Sequence, residues 1–153
     1  MSKIDIKSVP ERKGSSYPAP FHVIAGERAR QRLGDAGGIG DFGVNLMQLP
    51  PGAASSQRHW HSAEDEFVFV VSGELVLLTD KGEEILRAGD CAAFPKGFPD
   101  GHQLLNRSNA MATVLEIGSR SADDVCTYSD IDMKVANSDG RYTRKDGTPY
   151  PPR

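Results

Sequence analysis

Residues 66–87 read EFVFVVSGELVLLTDKGEEILR and carry the clearest structural signal in the chain. Two apolar runs, Glu66–Val71 and Glu74–Thr79, are rich in the branched and aromatic residues that favour β-strands. A Ser-Gly pair separates them, and the Asp-Lys-Gly sequence at 80–82 is typical of a hairpin turn in which glycine supplies a positive φ. The stretch therefore predicts short antiparallel strands joined by tight turns.

The flanking sequence continues this pattern of short strands and shows no helical period. Each run is bounded by Gly, Pro, Asn or Asp, which are the residues that form turns. Many short strands in succession are typical of an antiparallel sandwich or barrel, so we predict an all-β fold. The further predicted strands are Phe42–Leu49, Glu84–Arg87, Cys91–Phe94, His102–Asn106 and Ala112–Ile117.

The chain of 153 residues is long enough to form one domain with its own core, and it contains no internal repeat. We expect a single domain over 1–153, with the barrel core at about 40–120. The polar segments on either side, 1–35 and 121–153, are expected to be extended arms. A short helix is expected at Glu27–Leu33, where helix-forming residues precede a glycine-rich segment.

The composition argues against several classes of function. The formal net charge is −3, without the basic excess typical of nucleic-acid binding. The longest strongly apolar run, 67–71, is too short to span a membrane, and the N-terminal residues lack the apolar segment of a secretory signal. We therefore expect a cytoplasmic protein that binds neither nucleic acid nor membrane. Cys91 and Cys126 are expected to be lone buried thiols, reduced in that compartment.

The first apolar strand is hydrophobic on both of its faces. Because side chains alternate along a strand, Val68 and Val70 must share a face with Glu66, while Phe67 and Phe69 point the other way. A strand that is apolar on both faces has to be covered on both. One of the arms or a second subunit is expected to provide the outer cover, and on this basis we expect a homodimer.

Three of the four histidines form a pattern that favours metal binding. His59 and His61 are two residues apart, which places both imidazoles on one face of a strand. Glu66 begins the next strand, where an antiparallel return could bring its carboxylate opposite the pair. His102 begins a later strand. The remaining histidine, His22, is expected to be neither a ligand nor a catalyst.

Two spacings in this region resemble the motifs of the cupin superfamily. The pattern G-x6-H-x-H-x4-E-x6-G over residues 52–73 resembles the first cupin motif, which usually has five residues before its first histidine. The pattern G-x5-P-x-G-x4-H-x3-N over 89–106 resembles the second, which usually has two residues before its histidine. Both departures are insertions in loops. The resemblance implies an antiparallel cupin barrel, also called a double-stranded β-helix or jelly roll.

The same resemblance implies one divalent metal ion held by His59, His61, Glu66 and His102. A set of three imidazoles and one carboxylate suits Mn, Fe, Zn, Ni or Co, and it leaves positions open for water or a small-molecule ligand inside the barrel. The segments 58–74 and 95–108, together with the C-terminal sequence GRYTRKDGTPYP, resemble small bacterial cupins that often carry a sugar-phosphate isomerase label.

Three hypotheses of function follow from this resemblance. The first is a metal-dependent enzyme that isomerises or epimerises a small oxygenated metabolite, with the ion polarising a carbonyl or hydroxyl. The second is an iron-dependent dioxygenase. The third is a sensor or binding module that captures a ligand without converting it. An isomerase also needs a general base, and the candidate is Glu116, which lies among apolar residues and could instead pair with an arginine at the barrel rim.

Other polar residues near the motifs are weaker candidates. Arg58 could bind a substrate anion, and Lys96 and Arg107 are the other cations nearby. Asn106 shares a face with His102 and could either contact substrate or fasten a turn.

Two further expectations concern neighbours of the predicted ligands. Trp60 alternates with the two histidines, so it is expected to face away from the metal. Glu64 and Asp65 are expected to be solvated loop charges.

Overall fold

The structure is a computed structural model that describes residues 3–151. Strands dominate it, and its helical segments are single turns, at Ile6–Ser8, Val23–Ala25 and Leu33–Ala36 (α1). Within the described residues the strands are Glu11–Lys13 (β1), Ala29–Arg32 (β2), Phe42–Leu49 (β3), His59–His61 (β4), Glu66–Ser72 (β5), Glu74–Thr79 (β6), Gly82–Arg87 (β7), Cys91–Phe94 (β8), Gln103–Leu105 (β9), Ala112–Ser119 (β10), Val125–Tyr128 (β11), Lys134–Ala136 (β12) and Tyr142–Thr143 (β13).

These strands form three antiparallel sheets. The largest has six strands in the order β1-β2-β3-β10-β5-β8. A second sheet has the order β13-β12-β11-β4, and a third has the order β7-β6-β9. The pairs of strands within each sheet are antiparallel throughout the described part of the chain. The predicted all-β antiparallel class is therefore confirmed.

The main core lies between the inner faces of these sheets. Val68 and Val70 on β5 are buried, whereas Phe69 is 39% exposed and Val71 is 48% exposed, so the predicted alternation is correct. Burial of each such aliphatic side chain contributes about 1.5–3 kcal/mol to folding. The other buried members of this core are Met47, Leu49, Ala53, Leu75, Leu77, Leu86, Leu104, Ala112 and Val114.

The turn between β5 and β6 requires glycine for two reasons. Gly73 has a φ of +82°, in the left-handed region that residues with a Cβ rarely adopt. A Cβ at this position would also lie 2.8 Å from Ala112 Cα and 2.8 Å from the carbonyl oxygen of Met111. The Ser-Gly pair therefore sets both the direction of the turn and the close approach of β10.

The helix expected at Glu27–Leu33 is wrong, because Ala29–Arg32 is strand β2 and the helical turn α1 begins only at Leu33. β2 pairs with β1 on one side and with β3 on the other. Two sets of ladder hydrogen bonds outweigh the modest helix propensity of Ala, Arg and Gln. The N-terminal segment thus extends the largest sheet rather than crossing it as an unpaired arm.

The C-terminal segment forms strands β11 to β13, and it packs against the N-terminal segment in a second core. Tyr17 meets Tyr128 edge-on with ring centroids 5.5 Å apart, and it meets Tyr142 at 5.8 Å. Met133 and Cys126 are buried in the same cluster. The two arms therefore pack against each other.

No helix within residues 3–151 is long and apolar enough to cross a membrane. Both cysteines are free thiols, and Cys126 is buried as expected, but Cys91 is exposed, so the expectation of burial is wrong for that residue. The cytoplasmic location stays a prediction.

Candidate metal centre

Three strands bring the predicted ligands together. His59 and His61 lie on β4, which pairs with β11 in the four-stranded sheet. His102 immediately precedes β9 and forms a two-way bridge with His59, in which each backbone N–H donates to the other residue's carbonyl, at 3.2 and 2.9 Å. Glu66 opens β5 on the inner face of the six-stranded sheet. We call these four residues the His/Glu cluster.

The cluster converges on a single oxygen atom. Glu66 Oε2 lies 2.8 Å from His102 Nε2, 3.5 Å from His61 Nε2 and 3.6 Å from His59 Nε2. The donor atoms of His59, Glu66 and His102 also lie within 4.8 Å of one another. This buried oxygen makes no hydrogen bond of good geometry within the described part of the chain.

This arrangement fits a metal ion well. Neighbouring ligand atoms on a metal with bonds of about 2.1 Å lie about 3 Å apart, which is close to the separations observed here. Buried polar atoms in native proteins are normally satisfied, so an oxygen without a good hydrogen bond that faces three imidazole nitrogens needs an explanation. A cation bound between these atoms would satisfy all of them.

Burial and mutual contact set the charge state of the cluster. Burial by itself would raise the pKa of Glu66, but the nearby imidazoles of His102 and His59 hold that pKa well below its usual value. Burial lowers the pKa of His102. Burial also acts to lower the pKa of His59, but the Glu66 carboxylate outweighs it and raises that pKa. Glu66 is therefore an ionised carboxylate at neutral pH.

Groups behind the imidazoles fix their orientation. His61 Nδ1 lies 2.6 Å from a carboxylate oxygen of the fully buried Asp124, which also accepts a hydrogen bond from the backbone of Ala63 at 2.8 Å. His59 Nδ1 lies 2.8 Å from the carbonyl oxygen of Gln57. When Nδ1 donates to these acceptors, each Nε2 presents its lone pair to the centre of the cluster.

His102 is held by stacking rather than by a hydrogen bond. Its ring lies over Phe94 with centroids 3.6 Å apart and an interplanar angle of 4°. Its Nδ1 atom is buried and has no hydrogen-bond partner within residues 3–151.

Two cavities meet at the cluster, since His61, Glu66 and His102 line both of them. The first cavity, of about 360 Å³, has an apolar wall that includes Leu77 and Phe94. The second, of about 270 Å³, is lined by Arg28, Arg30, Tyr17 and Tyr128 from the two arms and by Glu116 from β10. A small ligand could therefore reach the cluster from either side.

The structure places Glu116 in the wall of the second cavity. Its carboxylate accepts a hydrogen bond from the guanidinium of Arg30 at 3.0 Å, so the predicted arginine pairing is present. The same residue also faces the cavity that contains His59, as a general base would require. Both sequence-based interpretations of Glu116 therefore remain open.

The two predicted substrate contacts lie outside the walls of both cavities. Arg58 donates to the carboxylates of Asp130 and Asp80 and to the carbonyl oxygen of Gly101. Asn106 is 1% exposed. Its amide donates to two backbone carbonyls and its oxygen accepts from Ser108, which corresponds to the turn-fastening alternative. A substrate contact for either residue stays a prediction.

One expectation near the cluster needs correction. Glu64 is not a solvated charge, because its carboxylate is largely buried and accepts hydrogen bonds from Ser121 and Asn137 in the C-terminal segment, each at 2.8 Å. The packing of the C-terminal segment, which local spacing does not reveal, decides this environment. Trp60 is among the residues that line the first cavity, and its predicted orientation away from the metal stays a prediction.

Sequence reasoning missed several residues of the site. Asp124 and the arm tyrosines carry no local motif that would have identified them. Arg28 and Arg30 did carry a signal, because the sequence Arg-Ala-Arg-Gln-Arg over 28–32 has a period of two. Because a helix was predicted there, the common face that these arginines share on a strand was not recognised.

Comparison with known proteins supports the same fold. A family model described as the cupin domain matches residues 45–118, which contain the whole His/Glu cluster. A structure named as a sugar phosphate isomerase from a cupin superfamily, from Silicibacter pomeroyi DSS-3, is 49% identical. The alignment covers 98% of this chain and 97% of that one, with a TM-score of 0.93.

More distant structures share part of the fold. A candidate sugar phosphate isomerase from Acidithiobacillus ferrooxidans ATCC 23270 is 30% identical over 76% of this chain and 74% of that one, with a TM-score of 0.70. A predicted oxalate decarboxylase from Thermotoga maritima is 20% identical over 78% of this chain and all of that one, with a TM-score of 0.63, and shows the fold alone. No curated protein matches the sequence significantly.

Proposed function

Since the chain belongs to the cupin superfamily, we propose that its His/Glu cluster holds one divalent metal ion and isomerises or epimerises a small oxygenated metabolite. The observation that carries this proposal is the buried Glu66 oxygen, which faces three imidazole nitrogens and makes no good hydrogen bond within the described residues. The two cavities beside it supply room for a ligand.

The donor set favours a metal of intermediate hardness, one of Mn, Fe, Zn, Ni and Co. Cys126 lies close to His59 and His61, with ligand atoms within 4.8 Å of one another. We assign the site to the three imidazoles and the carboxylate, because one Glu66 oxygen faces the Nε2 atoms of all three histidines.

The reaction would depend on groups in the second cavity. A bound ion would act as a Lewis acid that polarises a carbonyl or hydroxyl of the substrate. Glu116, held by Arg30, would accept the proton removed from the carbon next to that group. Burial raises the pKa of Tyr17 to about 12 and also raises the pKa of Tyr128, so both of these cavity-lining phenols stay neutral at pH 7.

The first cavity contributes by excluding water and fixing the ligand's position. Phe94 and Leu77 form its apolar wall, and Phe94 also holds the ring of His102. A sugar-phosphate type of substrate is supported by the relative from Silicibacter pomeroyi, which is named as a sugar phosphate isomerase and shares nearly half of its residues with this chain.

Metal analysis combined with activity assays tests the proposal. Protein purified without added metal or chelator would be analysed for bound metal and then incubated with aldose and ketose phosphates in D2O. We expect one equivalent of metal and incorporation of deuterium at the carbon next to the carbonyl. The Glu116→Gln variant should keep the metal and lose the exchange, whereas Glu83→Gln, at an exposed residue paired with Arg107, should change neither.

The same experiment separates the alternative functions. Oxygen uptake that depends on substrate after anaerobic loading with Fe(II) would show a dioxygenase instead. Ligand binding at the metal without exchange or oxygen uptake would show a binding module. Either result would contradict the isomerase proposal while leaving the metal site in place.

A further inference from the structure

Four arginines share one face at the N-terminal edge of the largest sheet. Arg30 and Arg32 alternate along β2, and Arg28 precedes them at the same spacing. Arg12 on β1 lies directly opposite Arg30 in the antiparallel register. Like charges opposite each other on neighbouring strands destabilise a sheet, so this arrangement calls for a counter-ion.

Carboxylates satisfy only part of this charge. Arg30 pairs with Glu116 at 3.0 Å and Arg32 with Asp35 at 3.6 Å. Arg28, in contrast, donates only to the carbonyl oxygens of Gly14 and Ser55 and makes no ion pair within residues 3–151. A half-buried guanidinium that is bound only to neutral acceptors keeps an uncompensated charge, which is unfavourable without an anion nearby.

Two further observations point to an absent acceptor. The Nε atom of Arg30 is buried and has no hydrogen-bond partner within the described residues, although the side chain as a whole is 27% exposed. Arg12 is exposed and makes no ion pair in that part of the chain. Guanidinium groups of this kind can present two parallel N–H donors to an oxyanion.

The arginines line a groove that leads to the candidate metal centre. Arg12, Lys13, Arg28, Arg30 and Arg32 line a depression of about 280 Å³, which we call the arginine groove. Ser16, Arg28 and Arg30 also line the second cavity, which contains the His/Glu cluster. The charge of this groove is local, because the whole chain has a formal net charge of −3. It can therefore concentrate an anion at the cavity mouth.

We propose that the arginine groove binds the phosphate group of an anionic substrate whose oxygenated end lies at the His/Glu cluster. The second half of this inference rests on the proposed function; the anion site itself does not. Lys13, Arg30 and Arg32 are offset by Glu27, Glu116 and Asp35. Arg12 and Arg28 remain without carboxylate partners within residues 3–151, and two positive charges match a phosphate dianion better than a monocarboxylate.

Calorimetric titration with inorganic phosphate at low ionic strength tests the inference on the protein as purified. The Arg30→Gln variant should bind phosphate at least about tenfold more weakly, because it loses a positive charge and the Nε donor that has no partner within the described residues. Arg12→Gln alters an exposed strand residue that should not affect folding, and it should weaken binding about threefold. Arg87→Gln removes a surface charge on β7 that pairs with Glu74 and should leave binding unchanged.

Titration with acetate forms the second arm of the test. Acetate should bind wild-type protein at least about tenfold more weakly than phosphate does, since it brings half the charge. Acetate binding as tight as phosphate would overturn the phosphate assignment in favour of a carboxylate. Phosphate binding that is equal in wild type, Arg12→Gln and Arg30→Gln would overturn the arginine groove altogether.

Metal content measured in the same samples separates this inference from the proposed function. Arginine-dependent phosphate binding in protein that holds no metal would refute the metal proposal but support the groove. A full equivalent of metal, together with phosphate binding that is unchanged in the arginine variants, would support the metal proposal and refute the groove.

Discussion

The carboxylate of Asp124 orients one of the predicted ligands, His61, without belonging to the ligand set. It is fully buried and lies 2.6 Å from His61 Nδ1. Removing such a partner typically costs 10- to 100-fold in metal affinity. We expect Asp124→Asn to weaken metal binding by about tenfold or more. Competition titration with a metal indicator would measure the loss.

The neighbouring residue provides a matched control for that prediction. Asp123 is exposed, and its side chain contacts no imidazole among the described residues. Asp123→Asn removes the same formal charge one position away and should leave the affinity unchanged. Equal affinity in Asp124→Asn and Asp123→Asn would mean that the buried carboxylate does not orient His61.

The ion pair between Arg58 and Asp130 should make the stability of the fold depend on pH. The Arg58 guanidinium holds the pKa of Asp130 below its usual value, and Arg58 binds both carboxylate oxygens at 2.7 and 2.9 Å. The pKa of Asp130 is thus lower in the folded protein than in the unfolded chain. The ion pair therefore stabilises the fold above about pH 4, and this stabilisation is lost as the pH falls through the pKa of Asp130 in the folded protein.

Thermal unfolding of wild type and Asp130→Asn would reveal this linkage. We expect the wild type to be more stable at pH 7 by less than about 1 kcal/mol, because Asp130 is partly exposed. The difference should shrink as the pH falls through the lowered folded-state pKa of Asp130, because the carboxyl then becomes neutral in the folded protein as well. A difference that does not shrink as the pH falls would contradict an ionic role for Asp130.

At the scale of elements, the turn between β5 and β6 shows how a single glycine fixes the position of a strand. Gly73→Ala should destabilise the protein by more than the ~1–2 kcal/mol cost of a left-handed residue, because its Cβ would also collide with the backbone of β10. Gly82→Ala is the matched control, since Gly82 has a φ of +109° but open space around it. Urea unfolding of both variants would measure the difference, and equal losses would show that β10 does not constrain the turn.

The elements that the sequence predicted well are those whose pattern is local. β3, β5, β6 and β8 match their predicted runs closely, since alternation and turn residues define them. β2 was predicted as helix because its arginines have a fair helix propensity. Its pairing with β1 and β3 involves residues up to about twenty positions away, and local propensity cannot register such contacts.

At the scale of the whole molecule, the cupin fold predicted from two spacings is confirmed by the comparisons and by the antiparallel sheets. The four ligands could be proposed from sequence because each cupin motif keeps them at fixed strand spacings. The arginine groove could not, since it arises where two segments of the N-terminal region pair and close over the second cavity. The pairing of β1 with β2 depends on the fold and not on a local sequence pattern.

The outer face of the six-stranded sheet predicts self-association. Phe69, Leu115 and Leu46 lie side by side across β5, β10 and β3, and Phe69 remains 39% exposed. Leu46 and Leu115 are half-buried, so Phe69 is the most exposed member of this row. Such a row is the kind of surface that a second copy of the chain covers. We therefore expect a homodimer.

Light scattering at micromolar concentration would test the dimer. Wild type should have twice the chain mass of 16.6 kDa. Phe69→Lys should shift the protein to monomer, whereas Ile85→Lys, at an exposed apolar residue on β7, should not. A monomeric wild type would show that this face does not mediate association.

Quantitative metal analysis shows whether the His/Glu cluster holds a metal ion. Wild-type protein and the variants His59→Ala, Glu66→Gln and His22→Ala would be purified without added metal or chelator and analysed by mass spectrometry. We predict about one equivalent of a divalent transition metal in wild type and in His22→Ala, which changes a histidine outside the cluster, and almost none in the other two variants. Equal metal content in wild type, His59→Ala and Glu66→Gln would contradict the account.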